Sequence, residues 1–346
     1  MKKEYTQDEY FMQRCLDLAK KGLGNTYPNP LVGSVIVYQN KIIGEGWHQK
    51  AGTPHAEVHA IASVQDKSLL KEATLYVNLE PCNHFGKTPP CAKLIVEHKI
   101  PRVVIGCIDP FEQVNGSGVK TLKKAGIKVT TAVLEEEAKA LNKRFFTFHQ
   151  KKRPYLVLKW AQSQDGFIAP LAETRNKKSP VFLSSKENQI LVHQWRTEEA
   201  AILIGAETAM ADNPQLTVRW VEGNQPARII FDPKERLPKT LKIFDSTAPT
   251  HQLTHAQLGL QSTTSPKAFL KAAMDYLYQE GYQSVLIEGG RITLQHFIDE
   301  NLWDEARVFS TRVLLKKGVP SPQIEQLKLN PLPEGLTKLL PLQKSL

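Results

Sequence analysis

The sequence predicts an α/β protein built as two successive layered domains, and two observations carry this. Strand-like and helix-like segments alternate through residues 31–133, and the same rhythm restarts at Tyr155-Leu156-Val157-Leu158-Lys159 after a basic, proline-bearing break at Lys151-Lys152-Arg153-Pro154. At 346 residues the chain can bury two cores of its own. The boundary falls at residue 150, giving domains 1–150 and 151–346.

The first helix opens at Thr6, where Thr6-x-x-Glu9 has the form of a capping box, and it ends at Lys20-Lys21-Gly22; Phe11, Cys15, Leu18 and Ala19 form its apolar stripe. Leu31–Val37 is a β-branched run, and Lys41–Gly44 pairs with it across Gln39-Asn40. Helices follow at Ala56–Val64, Cys91–Glu97 and Gly118–Ala125, and strands at Ala73–Leu79, Arg102–Gly106 and Ile127–Val133. In the second half the expected strands are Tyr155–Lys159, Ala201–Ile204, Ala227–Phe231, Ser284–Ile287 and Glu305–Phe309. The helices are Lys186–Arg196, Pro266–Glu280 and Thr293–Glu300. Leu237–Ser265, rich in Thr, Ser, Pro and Gln, is expected to wander over the surface. There is no internal repeat.

Composition narrows the function classes. Hydrophobic residues at 41% and charged residues at 23% are ordinary for a globular protein. No apolar run reaches the ~18–20 residues of a membrane span, and the polar start Met1-Lys2-Lys3-Glu4-Tyr5 does not read as a secretory signal. Four cysteines do not make a disulfide framework, so a reducing cytoplasm is the expected setting. The net charge of +10 divides evenly: 20 Lys+Arg against 15 Asp+Glu in residues 1–150, and 25 against 20 beyond. An even spread argues against a nucleic-acid surface and suits phosphorylated metabolites or solubility.

The chemistry concentrates at His55-Ala56-Glu57, Pro81-Cys82 and Cys91. One His and two Cys are a ligand set that leaves the fourth tetrahedral position of zinc open to water. Glu57, two residues past the histidine, is placed to move protons without ligating. H-x-E followed by P-C is the pattern of zinc deaminases of amino-heterocycles, in which the metal activates water for attack on a C–NH2 carbon. His55 and His59 are also an i,i+4 pair, but a zinc-protease helix needs Glu directly after the first His, and Ala56 stands there. His84 would be the fourth ligand of a closed structural site. Cys15 and Cys107 read as small core residues.

At these residues the chain resembles the deaminase half of the bifunctional riboflavin-biosynthesis deaminase/reductase family. The resemblance is carried by Tyr27-Pro28-Asn29-Pro30-Leu31-Val32-Gly33, Gly44-Glu45-Gly46-Trp47-His48, Gly52-Thr53-Pro54-His55-Ala56-Glu57, and Glu80-Pro81-Cys82 through Thr88-Pro89-Pro90-Cys91. The wide C-x8-C step separates this family from nucleoside and tRNA deaminases. The resemblance implies a cytidine-deaminase-like three-layer domain. It also implies that Asn29, His48, His84 and Lys87 contact the diaminopyrimidinone ring or its ribosyl phosphate.

The second half resembles the family's reductase domain, which has a dihydrofolate-reductase-like fold. Lys159-x-Ala161-x-Ser163-x-Asp165-Gly166, Arg196, Gly205-x-x-Thr208, Asp212-Asn213-Pro214, Leu216-Thr217-Val218-Arg219 and Glu288-Gly289-Gly290 carry it. By this resemblance Ala161, Phe182, Thr208, Asp212 and the run Gly290, Arg291, Ile292, Thr293, Leu294, Gln295 and His296 line NADPH. Ser179, Arg196, Leu216, Arg219 and Glu288 hold the substrate. A Gly-Gly pair before a helix lets backbone approach a pyrophosphate, and no G-x-G-x-x-G fingerprint of an ordinary dinucleotide fold is present. One stretch departs from the family. Pro180-Val181-Phe182-Leu183-Ser184-Ser185 stands where Ser-x-Trp-Ile-Thr-Ser is usual, so Phe182 can replace the Trp as an apolar wall, and the serine contact is either lost or shifted to Ser179. From Arg312 onward the likeness is weak.

The implied function is zinc-dependent hydrolytic deamination of 2,5-diamino-6-ribosylamino-4(3H)-pyrimidinone 5′-phosphate. NADPH reduction of the ribosyl chain would follow, giving 5-amino-6-(5-phosphoribitylamino)uracil. The partners expected are phosphorylated pyrimidines and further copies of the chain, as a dimer or tetramer, with neither nucleic acid nor membrane. The rival readings are a nucleic-acid-editing deaminase whose second half is a binding domain, and a non-catalytic zinc-stabilised protein. The second of these would have no use for Glu57.

Overall fold

The computed structural model describes residues 5–83, 89–111, 114–171, 173, 183, 185–324 and 334–339. The chain separates into two compact units, Met1–Lys151 and Lys152–Leu346.

In the first unit a five-stranded sheet is made of β1 (Gly33–Tyr38), β2 (Lys41–Trp47), β3 (Thr74–Leu79), β4 (Arg102–Cys107) and β5 (Lys128–Thr130), in the order β2-β1-β3-β4-β5. β1 pairs antiparallel with β2 and β3, whereas β3, β4 and β5 run parallel. Side chains alternate across the pleat, so each strand feeds two cores. Val35, Tyr76 and Val104 pack on α1 (Gln7–Lys20) together with α5 (Glu135–Leu141) and α6 (Lys143–Lys151). Ile36, Leu75, Val77, Val103 and Ile105 pack on α2 (Ala56–Ser63), α3 (Cys91–Glu97) and α4 (Ser117–Lys124). The result is three layers, helices–sheet–helices. The capping box at Thr6 is formed in both directions: Thr6 Oγ1 accepts from the Glu9 N–H, and Glu9 accepts from the Thr6 N–H.

The last three elements of this unit differ from the sequence reading. β5 stops at Thr130 rather than Val133, and helices α5 and α6 follow. Leu134 takes a left-handed φ of 52° that turns the chain into α5. The adjacent aromatics Phe145 and Phe146 hide the helical period of α6, although both are buried in the α1-side core.

In the second unit the sheet order is β10-β9-β8-β11-β6-β12-β14, from β6 (Tyr155–Gln162), β8 (Ala201–Gly205), β9 (Ala227–Phe231), β10 (Thr250–Leu253), β11 (Ser284–Ile287), β12 (Glu305–Ser310) and β14 (Gly335–Leu339). All neighbours are parallel except β14, which runs antiparallel to β12. A small ribbon pairs β7 (Phe167–Ala169) with β13 (Val319–Pro320). One face is covered by α9 (Pro266–Gln279) and α10 (Arg291–Asp299), with Leu270, Leu277, Leu294 and Phe297 in the core. The other carries α7 (Lys186–Glu198) and α8 (Ala206–Asp212).

The segment Leu237–Ser265 does not wander. It supplies edge strand β10, and Leu237, Ile243 and Leu253 are buried. The fully buried Arg228 of β9 ties it down, donating to the carbonyls of Gln215, Asp245 and Ala248, to the Asp245 carboxylate and to Thr250 Oγ1. Among the described residues no helix is long and apolar enough to cross a membrane.

Candidate active sites

In the first unit, His55 is the N-cap of α2, Cys82 follows the end of β3, and Cys91 opens α3. Their donor atoms all lie within 4.8 Å of one another. His55 Nδ1 is 3.5 Å from Cys82 Sγ and 3.4 Å from Cys91 Sγ. A zinc ion at ~2.3 Å from sulfur and ~2.0 Å from nitrogen holds such a nitrogen and sulfur about 3.5 Å apart, so both nitrogen–sulfur separations suit zinc. The backbone helps: Cys91 N–H donates to Cys82 Sγ (3.4 Å) and Ala92 N–H to the Cys82 carbonyl (3.1 Å). Of the two sulfurs, Cys82 is drawn toward the thiolate by the Cys91 and His55 hydrogen bonds.

Glu57, on the first turn of α2, is buried beside this cluster. Burial pushes its carboxyl up to about 7, and the charge of Cys82 adds to the rise. His48 stands edge-on to His55, with ring centroids 5.5 Å apart. Its Nδ1 is 3.1 Å from the Pro54 carbonyl, which can only accept, and its Nε2 is 3.0 Å from Asn29 Nδ2, which can only donate. These two partners fix a neutral tautomer protonated at Nδ1, and burial lowers the pKa in the same sense. The Asn29 amide is thereby oriented. Its loop is held at Leu31, whose N–H donates to Asn142 Oδ1 (2.8 Å) and whose carbonyl accepts from Asn78 (3.0 Å) and Asn142 (2.9 Å).

In the second unit the expected residues gather at the carboxyl ends of β6, β8 and β11, where open α/β sheets bind ligands. Arg196 of α7 meets Glu288 at two points, and Lys159 of β6 lies 3.6 Å from the same carboxylate. Arg196 also donates to the Thr217 carbonyl. Arg219 is exposed, with Nη1 on Thr217 Oγ1 (2.9 Å), and its N–H donates to His193 Nδ1 (3.1 Å). Burial, then Arg196 and Arg219, hold His193 down at about 4, so it stays neutral. The Gly290 N–H donates to Thr208 Oγ1 at 2.9 Å. A Cβ on Gly205 would come 2.5 Å from Thr293 Oγ1, and one on Gly289 would come 2.8 Å from Thr293 Cβ. The β8 and β11 turns therefore close on α10 only because they carry glycine.

Residues 5–107 match the family described as the cytidine and deoxycytidylate deaminase zinc-binding region, and residues 154–331 match the RibD C-terminal domain. The riboflavin biosynthesis protein RibD of Aquifex aeolicus is 41% identical over 90% of this chain and 89% of its own. That of Bacillus amyloliquefaciens is 39% identical over 89% and 85%. The chain belongs to the RibD family. The solved RibD of Acinetobacter baumannii superposes with a TM-score of 0.82 at 37% identity, covering 91% of this chain and 89% of that one. A Thermotoga maritima structure described as a diaminohydroxyphosphoribosylaminopyrimidine deaminase/5-amino-6-(5-phosphoribosylamino)uracil reductase gives 0.80 at 39% identity, with the same coverage. The RibD match across the second half displaces the alternative of a nucleic-acid-binding domain there.

Within this RibD-family chain the expected residues fare unequally. His55, Cys82, Cys91, Glu57, Asn29 and His48 form one cluster. His84, Lys87, Ser179 and Phe182 lie outside the described residues. The run Gly290–His296 is helical from Arg291, so it cannot present every side chain to one ligand. Leu294 is fully buried in the core, and Gln295 is spent on Asp299 and Gln323. Leu216 is likewise a core residue, its side chain buried and its φ a left-handed 55°. Ala161 and Asp212 are half-buried at the ends of β6 and α8. Sequence reasoning missed Lys159 as a partner of Glu288, and Asn78 and Asn142 as supports of Asn29. The pairs lie too far apart in sequence for spacing to show them.

Proposed function

We propose that the chain catalyses two consecutive riboflavin steps. The first unit deaminates 2,5-diamino-6-ribosylamino-4(3H)-pyrimidinone 5′-phosphate, and the second reduces the ribosyl side chain with NADPH to give 5-amino-6-(5-phosphoribitylamino)uracil. The observation that carries this reading is the three-donor cluster with a buried, proton-competent Glu57 against it. His55, Cys82 and Cys91 would hold zinc, which when bound supplies a Lewis acid that makes a water acidic near pH 7. Glu57, buried against the cluster, would accept the proton of the attacking water and pass it to the ring nitrogen and the departing ammonia. Asn29, oriented by His48, reads the edge of the pyrimidinone, and His84 and Lys87 extend the contact toward the ribosyl phosphate.

In the second unit, Arg219 is the exposed cation for the substrate phosphate. Arg196, Lys159 and Glu288 hold the sugar end, and by resemblance Ser179 and Leu216 belong to the same substrate set. Thr208, Asp212, Ala161, Phe182 and the glycine turn into α10 receive NADPH, whose pyrophosphate suits a helix N-terminus approached through glycine. NADPH supplies the hydride; the protein supplies position and charge. The reducing cytoplasm suits a site whose two thiols must stay reduced to bind metal, and self-association into a dimer or tetramer belongs to the same reading.

The deciding experiment supplies the zinc-loaded protein with the diaminopyrimidinone phosphate and NADPH. Ammonia should be released first, and NADPH oxidised in step with the deaminated intermediate. NADPH left unconsumed when that intermediate is supplied directly would remove the reductase half of the reading.

A further inference from the structure

Glu80 lies between the end of β3 and Pro81-Cys82, and it is buried. Its N–H continues the β3–β4 ladder by donating to the Cys107 carbonyl at 3.0 Å. Its carboxylate accepts four backbone N–H groups from the 109–119 segment. Oε1 receives Gly118 (2.9 Å) and Val119 (3.1 Å), and Oε2 receives Gly116 (2.8 Å) and Asp109 (3.3 Å). Gly116, Gly118 and Val119 are the N-cap and first turn of α4, so the side chain fills the anion-binding end of that helix. α4 also presses on the next residue: a Cβ at Gly118 would sit 2.1 Å from the Pro81 carbonyl oxygen. Proline then fixes φ, and the following side chain is Cys82.

We propose that Glu80 is a positioning residue for zinc: it locks the Pro81–Cys82 step against α4 and so aims the Cys82 sulfur at the metal. The proposal rests on reading His55, Cys82 and Cys91 as the zinc site. Cys82 is then held from two sides, by the α3 N–H groups of Cys91 and Ala92 and by the Glu80 anchor on α4. Groups that orient metal ligands through one intervening contact are worth ~10–100-fold in metal affinity.

Glu80→Gln keeps the shape but points an NH2 at two backbone donors. In a competition titration against a chromogenic chelator, it should bind zinc about 10–100-fold more weakly than wild type. Arg102→Gln, which removes the Asp8 ion pair of the same unit, controls for general loosening and should lower the melting temperature with zinc affinity unchanged. A folded Glu80→Gln protein with wild-type zinc affinity overturns the proposal. If that variant does not fold, amide exchange on the wild type decides. Stripping zinc should speed exchange at Gly116, Gly118 and Val119 by at least about tenfold, with the capping turn of α1 unaffected; unchanged rates at those three amides overturn it. Wild-type protein that binds no zinc would instead defeat the reading of the site itself.

Discussion

Arg196 and Glu288 bind one another at two points, Nε to Oε1 at 2.9 Å and Nη2 to Oε2 at 3.1 Å. Read from sequence, each is an independent substrate contact; in the fold they are one unit, joined by Lys159. Burial would raise the Glu288 carboxyl, but Arg196 and then Lys159 outweigh it and bring it from the ordinary 4.5 to about 2. A depressed carboxyl contributes stability that is fully present above its unfolded pKa and is lost as pH falls through the folded one. The stability difference between wild type and Glu288→Gln should therefore shrink by on the order of 3 kcal/mol as pH falls from about 4.5 to about 2. Urea unfolding followed by tryptophan fluorescence reads this, since Trp160, Trp195, Trp220 and Trp303 all lie in the second unit. A difference that does not change with pH would mean that the pair is not formed in solution.

Glu57→Gln preserves volume but removes the group that carries the proton. Deamination should fall by about 10²–10⁴-fold, the usual worth of a general acid–base. Bound zinc should stay at the wild-type level, and NADPH oxidation with the deaminated intermediate should be untouched. Activity within twofold of wild type would take Glu57 out of the mechanism.

The four thiols should differ sharply once zinc is removed. Cys15, Cys91 and Cys107 are buried, and only Cys82 is partly exposed. Chelator-treated protein should show one fast-alkylating cysteine, mapped to Cys82 by peptide mass spectrometry, and added zinc should protect it. Fast labelling at Cys15 or Cys107 would contradict the packing of α1 and β4.

Ala in place of Gly289 puts a methyl 2.8 Å from Thr293 Cβ, an atom that cannot swing away because it is fixed to the α10 backbone. The helix must shift from the β11 turn, and displacements of that size are costly at a binding site. KM for NADPH should rise at least about tenfold, with deamination unaffected. An unchanged KM would place the cofactor elsewhere.

How much the sequence shows depends on the range of the interaction. The Thr6–Glu9 capping box is local, and it is present as read. The metal set is legible because three unusual side chains recur in a fixed order, and the fold brings them within 4.8 Å. Contacts between distant polar residues are not legible: nothing in the pattern says that Asn142 holds Leu31, or that Arg196 is paired rather than free. Helical period is likewise silent about which residues of the run Gly290–His296 face a ligand, and Leu294 went to the core. The clearest misreading lies within Leu237–Ser265, whose polar composition suggests a surface loop throughout, while strand β10 runs inside it and the buried Arg228 and Asp232 tie down residues 237–252.

That cation gives the last prediction. Arg228 is fully buried and serves six acceptors on five residues beyond its own strand, at Gln215, Asp245, Thr247, Ala248 and Thr250. Methionine matches its length without the donors. Arg228→Met would take the guanidinium donor from the Gln215 and Asp245 carbonyls and leave the Ala248 carbonyl only Thr250 Oγ1, at about 1–3 kcal/mol for each one left unpaired where water cannot reach. The loss should be local before it is global, because β10 is an edge strand held on one side only, by β9. Limited proteolysis should therefore cut the variant between Leu241 and His251 under conditions that leave wild type intact. The first unit should keep its zinc and its deamination rate. Equal resistance in the two proteins would show that β10 is held by its apolar contacts, chiefly Leu253, and that the guanidinium only fills space.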